Sequence, residues 1–399
     1  MNGALCGVRV LDLSRYVAGA YCGKLLSAFG AEVIKVEQPG TGDPARQMGP
    51  FPNGTPNPEA SAPYLYLNTG KRGLTLDLKQ QRGVDILKDL IKDTDILIEN
   101  FAPCVMPALN LDYRILQAIN PKLIMVSISN FGQSGPYRDY KANSMIGLAM
   151  GGYMFINGAP DRQPLSGGGR QPAYQGALHG YSGAMAALLS RECSERGQHV
   201  DISIQECMTS IHQFTINRYV YVDRIQQRIG NRYQRAHPIC MYPCADGLVS
   251  IAVSQPDQYQ RFLEYTDTLH LLDDPRFATT FACSENTEAF DEHLAPWMLA
   301  HGKDKIVHGL QERRVPVAYV NDMASIMEDP QYRSRGFWHE IDHPVAGTHS
   351  YAGLPVQMSG TPPHFTRAPL LGEHTDEILG ERLGFKPDQL TQYRDGGVI

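Results

Sequence analysis

An α/β fold organised around a parallel sheet is what this sequence predicts, and two observations predict it. Short apolar runs of strand length alternate with helix-length segments through the first third of the chain. Further on, a helix made largely of small residues offers a face that a neighbouring element can approach closely. Strands alternating with helices in this way are joined by crossovers, so they run parallel and are covered on both faces.

The elements follow in order. Val8-Arg9-Val10-Leu11-Asp12 reads as the first strand. Tyr21 to Phe29 reads as a helix with Leu25, Leu26 and Phe29 on its apolar face, and Gly30 suits the position after its last turn. Glu32 to Glu37 is the next strand, Gly83 to Asp93 a helix, Asp95 to Glu99 a strand, Leu111 to Ala118 a helix and Leu123 to Ile128 a strand. Segment 141–165 is rich in Gly, Met and Pro, and Ser166-Gly167-Gly168-Gly169 is a loop. The small-residue helix runs from about Gly176 to Arg191, with Ala177, Gly180, Gly183, Ala184 and Ala187 along it. After the strand Val200 to Ile204, one long helix is expected to about Ile225.

A chain of 399 residues is long for one core, so two domains are expected. Residues 226–345 change character, with short strands such as Leu248 to Val253 among acidic and aromatic helices, and read as a second, smaller α+β domain. The chain then returns to strand, turn and helix up to Ile399. The formal net charge of -6 argues against nucleic acid or an anionic membrane as the main partner. No signal-peptide pattern opens the sequence and no apolar run is long enough to span a bilayer, so a cytoplasmic location is expected. Eight scattered cysteines read as small hydrophobes in a reducing compartment, and the Cys240–Cys244 pair has no partner pair or histidines to make a zinc site.

Gly40-Thr41-Gly42-Asp43 and the glycines at 167–169 lack the spacing of dinucleotide or phosphate loops, and no serine-nucleophile elbow occurs. His179 and His237 stand alone and read as structural. More informative are cations that the strand reading places after strands: Arg46, the pair Lys71-Arg72 after Asn68-Thr69-Gly70, and Lys141 after a turn. Carboxyl ends of parallel strands are where such sheets bind ligands, and cations there suit a phosphorylated anion.

These residues form part of a longer pattern. Leu11-Asp12-Leu13-Ser14-Arg15, the run Phe29 to Glu37, Pro39 to Pro44, Gly70-Lys71-Arg72, Ile98-Glu99-Asn100-Phe101, Phe131 to Pro136, Gly197 to Ser203, Asp342 to Gly347 and Pro369 to Asp376 resemble, in order, family III CoA-transferases (the CaiB/BaiF type). The resemblance implies a Rossmann-like large domain built from both chain ends, with residues 1–225 supplying its CoA-binding part and 346–399 returning to it, and a small domain with linkers over 226–345. It also implies a ring-shaped chain interlocked with its partner. No cofactor is held permanently; coenzyme A enters as the acyl-CoA substrate. By position, CoA contacts fall on Val17, Ala18, Gln38, Lys71, Arg72, Asn100, Phe101 and Lys141, with Gln38 and Ala108 standing where the family often has Arg.

Family III enzymes use an Asp carboxylate at the head of the small-residue helix to attack the acyl-CoA thioester. Counting back from Leu188-Leu189-Ser190-Arg191 puts Ala173 at that position, and a methyl group cannot form an anhydride. Asp161 lies in an upstream turn, and Asn143 and Ser144 stand where the racemase branch has a His-Asp pair. The resemblance therefore implies a subunit without the nucleophile, as in succinyl-CoA:(R)-benzylsuccinate CoA-transferase, supporting a homologous Asp-bearing subunit. CoA would move from a donor such as succinyl-CoA to an acid such as an aromatic succinate. A self-sufficient transferase with a relocated nucleophile and a non-catalytic acyl-CoA binding protein are the alternatives.

Overall fold

The computed structural model describes residues 3–399, and the chain divides into two compact units. The first comprises the chain up to Tyr153 together with Gly167–Asn217 and Ser334–Ile399. The second comprises Met154–Ser166 and Arg218–Arg333.

In the first unit six strands form one sheet: β1 (Arg9–Asp12), β2 (Glu32–Glu37), β3 (Arg72–Thr75), β4 (Ile96–Glu99), β5 (Ile124–Ser129) and β6 (His199–Ser203). All pairings are parallel and the order is β3-β2-β1-β4-β5-β6. The order reverses direction between β1 and β4, the place where sheets of this kind open a crevice at their carboxyl ends. The helices that matter for the site are α1 (Ala18–Ala28), α2 (Ala62–Leu67), α3 (Gln81–Ile91), α4 (Tyr113–Ile119), α5 (Ser144–Met150) and α6 (Gln171–Ser194).

Each strand feeds both faces, because successive side chains point to opposite sides. Leu11, Ile34, Leu97 and Met125 join Ile86, Leu87 and Leu90 of α3 on one face. Val10, Val33, Ile96, Ile98, Val126 and Ile128 join Cys22, Leu25 and Leu26 of α1 and Ala177, Ala184 and Ala187 of α6 on the other. The small residues of α6 are required by closeness. A Cβ on Gly180 would lie 2.8 Å from Cδ1 of Ile128, and one on Gly176 would lie 2.8 Å from Cγ1 of Ile204.

Two readings need correction. Lys71-Arg72 does not follow a strand: Arg72 is the first residue of β3, a strand of only four residues with a glycine inside it. Nor is there one helix from 205 to 225; Ile204–Ser210 ends and Gln213–Val222 begins anew. Thr209 and Ser210 turn their hydroxyls back onto the carbonyls of Gln205 and Cys207, a local bonding that competes with helix continuation. The small-residue helix starts at Gln171, with Pro172 in its first turn, where a missing N–H costs nothing.

In the second unit β7 (Ile239–Cys244), β8 (Gly247–Ala252) and β9 (Val317–Tyr319) make an antiparallel sheet. Its core gathers Tyr242, Val249, Ile251, Phe262, Phe277 and Phe290, with Cys240 and Cys244 on the same inward face of β7. The C-terminal stretch, which belongs to the first unit, adds no strand to the large sheet. There β10 (Trp338–Ile341) and β11 (His349–Ala352) form a separate antiparallel hairpin, and the hydroxyl of Thr375 accepts from the backbone N–H of Thr75 at 3.1 Å. No helix among the described residues is long and apolar enough to cross a membrane.

Candidate functional site

The carboxyl ends of β1, β2 and β4 and the starts of α1 and α6 carry most of the residues that the sequence singles out. Beneath them lies a buried ionic cluster. Lys71 Nζ donates to Asp12 Oδ2 at 2.7 Å, to the Ala20 carbonyl at 2.8 Å and to Asn68 Oδ1 at 2.8 Å. An ammonium has three hydrogens, so this one is fully committed inside the protein. Lys35 Nζ pairs with Asp43 at 3.0 Å, and its side chain is wholly buried. Burial would raise the Asp12 carboxyl, but Lys35 and Lys71 together hold it below the usual range. Burial depresses Lys71, with Asp12 opposing the fall.

Two of the expected CoA contacts are engaged within the protein. Lys71 faces Asp12 instead of solvent, and Arg72 sits at the amino end of β3, bridging Glu32 and Glu377 at 2.9 Å and Glu381 at 3.2 Å. Arg46 is likewise internal: its guanidinium grips Glu37 twice at 2.8 Å and reaches Glu59 at 2.6 Å. Charge is legible in a sequence, but the carboxylate that neutralises it is not when it lies far along the chain.

The other positions stay near the carboxyl ends. Val17 and Ala18 open α1, both buried. Gln38 follows β2 and its carbonyl accepts from the Gly42 N–H at 3.0 Å, closing the turn that Gly42 makes with φ of 65°. Asn100 follows β4 and uses its amide twice on Arg15, accepting from the backbone N–H at 2.8 Å and donating to the carbonyl at 2.7 Å. That clamp sets the Arg15 guanidinium 5.3 Å from the centre of the Phe101 ring. Arg15, exposed at the head of α1, is a cation that the reading by position missed, although it directly follows the strand motif Leu11-Asp12-Leu13-Ser14. Lys141 is exposed in the loop before α5.

Below the Asn100–Phe101 turn, the Glu99 carboxyl accepts the Phe101 N–H at 2.8 Å. Burial pushes this carboxyl up to about 7, with hydrogen bonds from Ser127 and Phe101 opposing. Ser127 also meets His199 Nε2 at 2.8 Å, so β4, β5 and β6 are linked through one polar chain.

At the head of α6, Ala173 packs with Val17, Ala20 and Leu67 and with the rings of Tyr21, Tyr66 and Tyr174. Tyr21 meets Tyr174 edge-on, centroids 4.9 Å apart. The first turn of α6 carries no acid, and Arg170 precedes it, its guanidinium 3.5 Å from the Met48 sulfur. Asn143 caps α5 by accepting the Ile146 N–H at 3.2 Å, a structural use of its amide. Asp161 belongs to the second unit.

Comparison with known proteins gives a consistent result. The family model described as CoA-transferase family III matches residues 5–375. Over 394 residues the chain is 35% identical to the succinyl-CoA–D-citramalate CoA-transferase of Chloroflexus aurantiacus, covering 98% of this chain and 97% of that one. It is 32% identical over 380 residues to the succinate–glutarate CoA-transferase of Agrobacterium fabrum, covering 94% and 95%. The crystal structure of a CAIB/BAIF family protein from Brucella suis superposes with a TM-score of 0.87 at 30% identity, covering 96% of this chain and 100% of that one.

Proposed function

This chain belongs to CoA-transferase family III, and we propose that within a heteromeric enzyme it is the subunit that lacks the nucleophile. The family's substrates are CoA thioesters and carboxylic acids. The observation that carries the proposal is Ala173 at the head of α6, enclosed by apolar and tyrosyl side chains with no acid in the first helical turn. The carboxylate that attacks the thioester, forms the mixed anhydride and is then re-attacked by CoA thiolate would come from a homologous, Asp-bearing subunit. Succinyl-CoA, which the name of one relative carries while that of a second carries succinate, is the donor in this reading, and a carboxylic acid such as an aromatic succinate is the acceptor.

In this reading CoA lies across the carboxyl ends of β1, β2 and β4, against Val17, Ala18, Gln38, Asn100 and Phe101, with Arg15 and Lys141 supplying positive charge to its phosphates. A partner is also supported by exposed apolar side chains: Tyr219, Val220 and Tyr221 are 56%, 68% and 82% exposed. Such a cluster is characteristic of an association surface.

The test is to purify this chain alone and together with an Asp-bearing homologue, and to measure CoA transfer from succinyl-CoA to a panel of acids. Transfer only by the pair is expected. Full transfer by the lone chain would overturn the proposal.

A further inference from the structure

Beside the aromatic cluster around Ala173 lies a cavity of about 430 Å³. Pro50, Phe51, Pro52, Leu65, Tyr66 and Tyr351 are the larger apolar and aromatic side chains of its wall. A space of that size fits a small organic ligand, and walls of this composition fit an apolar one. His349, also at the wall, is occupied in donating to the Ala346 carbonyl at 3.0 Å.

Next to this cavity is a charge without a counter-charge. Lys24, on α1, is 1% exposed, and its Nζ has no hydrogen-bond partner. The ammonium rests 3.3 Å from the centre of the Tyr66 ring, the same ring that lines the cavity. The charged or titratable groups that act on it are basic: Lys71, just before β3, and His339 on β10, which in turn neighbours His364 in the segment after the hairpin. His339 is the register partner of Tyr351, so the two side chains share a face of the hairpin. Burial lowers the Lys24 amine to about 7, and the Lys71 charge adds to the fall. A buried ammonium is costly unless paired, and a cation–π contact offsets only part of that cost.

We propose that this cavity binds a carboxylic acid with an apolar body, the hydrocarbon against Phe51, Tyr66 and Tyr351 and the carboxylate on the Lys24 ammonium. On binding, the Tyr66 ring, which the cavity and the amine share, would turn aside to let the carboxylate reach Lys24. Taking this acid as the acceptor for CoA rests on the proposed function; the binding itself does not.

The test is calorimetric titration of the full chain with 3-phenylpropanoate in two buffers of different ionisation enthalpy. A carboxylate pairing with Lys24 raises the amine, so binding at pH 8 takes up a proton, approaching about one per site, and the uptake fades at pH 6. Glutarate, with no apolar body, is expected to bind at least about tenfold more weakly. Lys24→Met should abolish the uptake and weaken binding at least about tenfold; Ala352→Trp, which fills the cavity, should weaken binding and leave the melting temperature near that of the parent. Absence of binding by the parent chain, equal affinity for glutarate, or undiminished uptake in Lys24→Met would overturn the proposal. Should Lys24→Met fail to fold, the two-buffer result on the parent and the Ala352→Trp titration decide. Proton-coupled binding without transfer in any assembly would sustain the cavity assignment and count only against the proposed function.

Discussion

Replacing Glu99 with Gln should stabilise the protein by an amount that grows from about pH 5 to neutrality and then levels off. In the folded chain burial raises the Glu99 carboxyl from 4.5 to about 7. The native state therefore binds more protons than the unfolded chain between those values, and stability falls as pH rises through the window. A tenfold change in proton affinity between the two states corresponds to about 1.4 kcal/mol, so ionisation at pH 8 costs the native state about 3 kcal/mol relative to a neutral side chain. Gln keeps the carbonyl that accepts the Phe101 N–H and remains neutral at every pH. Urea unfolding of parent and Glu99→Gln from pH 5 to pH 9, followed by circular dichroism, should give nearly equal stabilities at the acid end. The variant's lead should grow between about pH 5 and pH 7 and hold at about 3 kcal/mol above that. A difference that is flat with pH, or a variant that loses ground as pH rises, would refute the reasoning.

Lys71→Met should cost about 3–5 kcal/mol, because Asp12 is left buried with much of its compensation removed; denaturant unfolding that registers less than about 1 kcal/mol would count against the internal ion pair. Gly180→Val should destabilise the chain by about 1–3 kcal/mol or more through the clash with Ile128, measured the same way, while a neutral effect would mean that α6 can move off β5. Arg15→Ser should weaken CoA binding several-fold and flatten its dependence on ionic strength in titrations of the assembled enzyme. An unchanged salt dependence would remove Arg15 from the phosphate site.

Much of the large sheet was legible because its strands are apolar runs separated by amphipathic helices, and local periodicity carries that information. Val10 and Leu11 already show the alternation that sends one side chain to each face. β3 was not legible: four residues containing Gly73 offer no period, and the strand exists because β2 provides an edge to pair with. The same limit applies to the site. The positions of Asn100 and Phe101 after β4 follow from the strand itself. The fate of Lys71 does not, because Asp12 lies 59 residues away and only the fold brings the two together. Lys24 is hidden for a related reason, since its surroundings are assembled from α1, α2 and the C-terminal hairpin. Ala173, by contrast, needed only counting along one helix, and it does stand at the head of α6.

In the proposed enzyme the nucleophile is carried by the homologous subunit and not by this chain. The direct measurement is to trap the assembled transferase with acyl-CoA and hydroxylamine, digest it, and locate the modified carboxyl by mass spectrometry. A hydroxamate is expected on an Asp of the homologous subunit and on no peptide of this chain, including the one that contains Ala173. A modified Asp or Glu within this chain, formed at the rate of turnover, would contradict it.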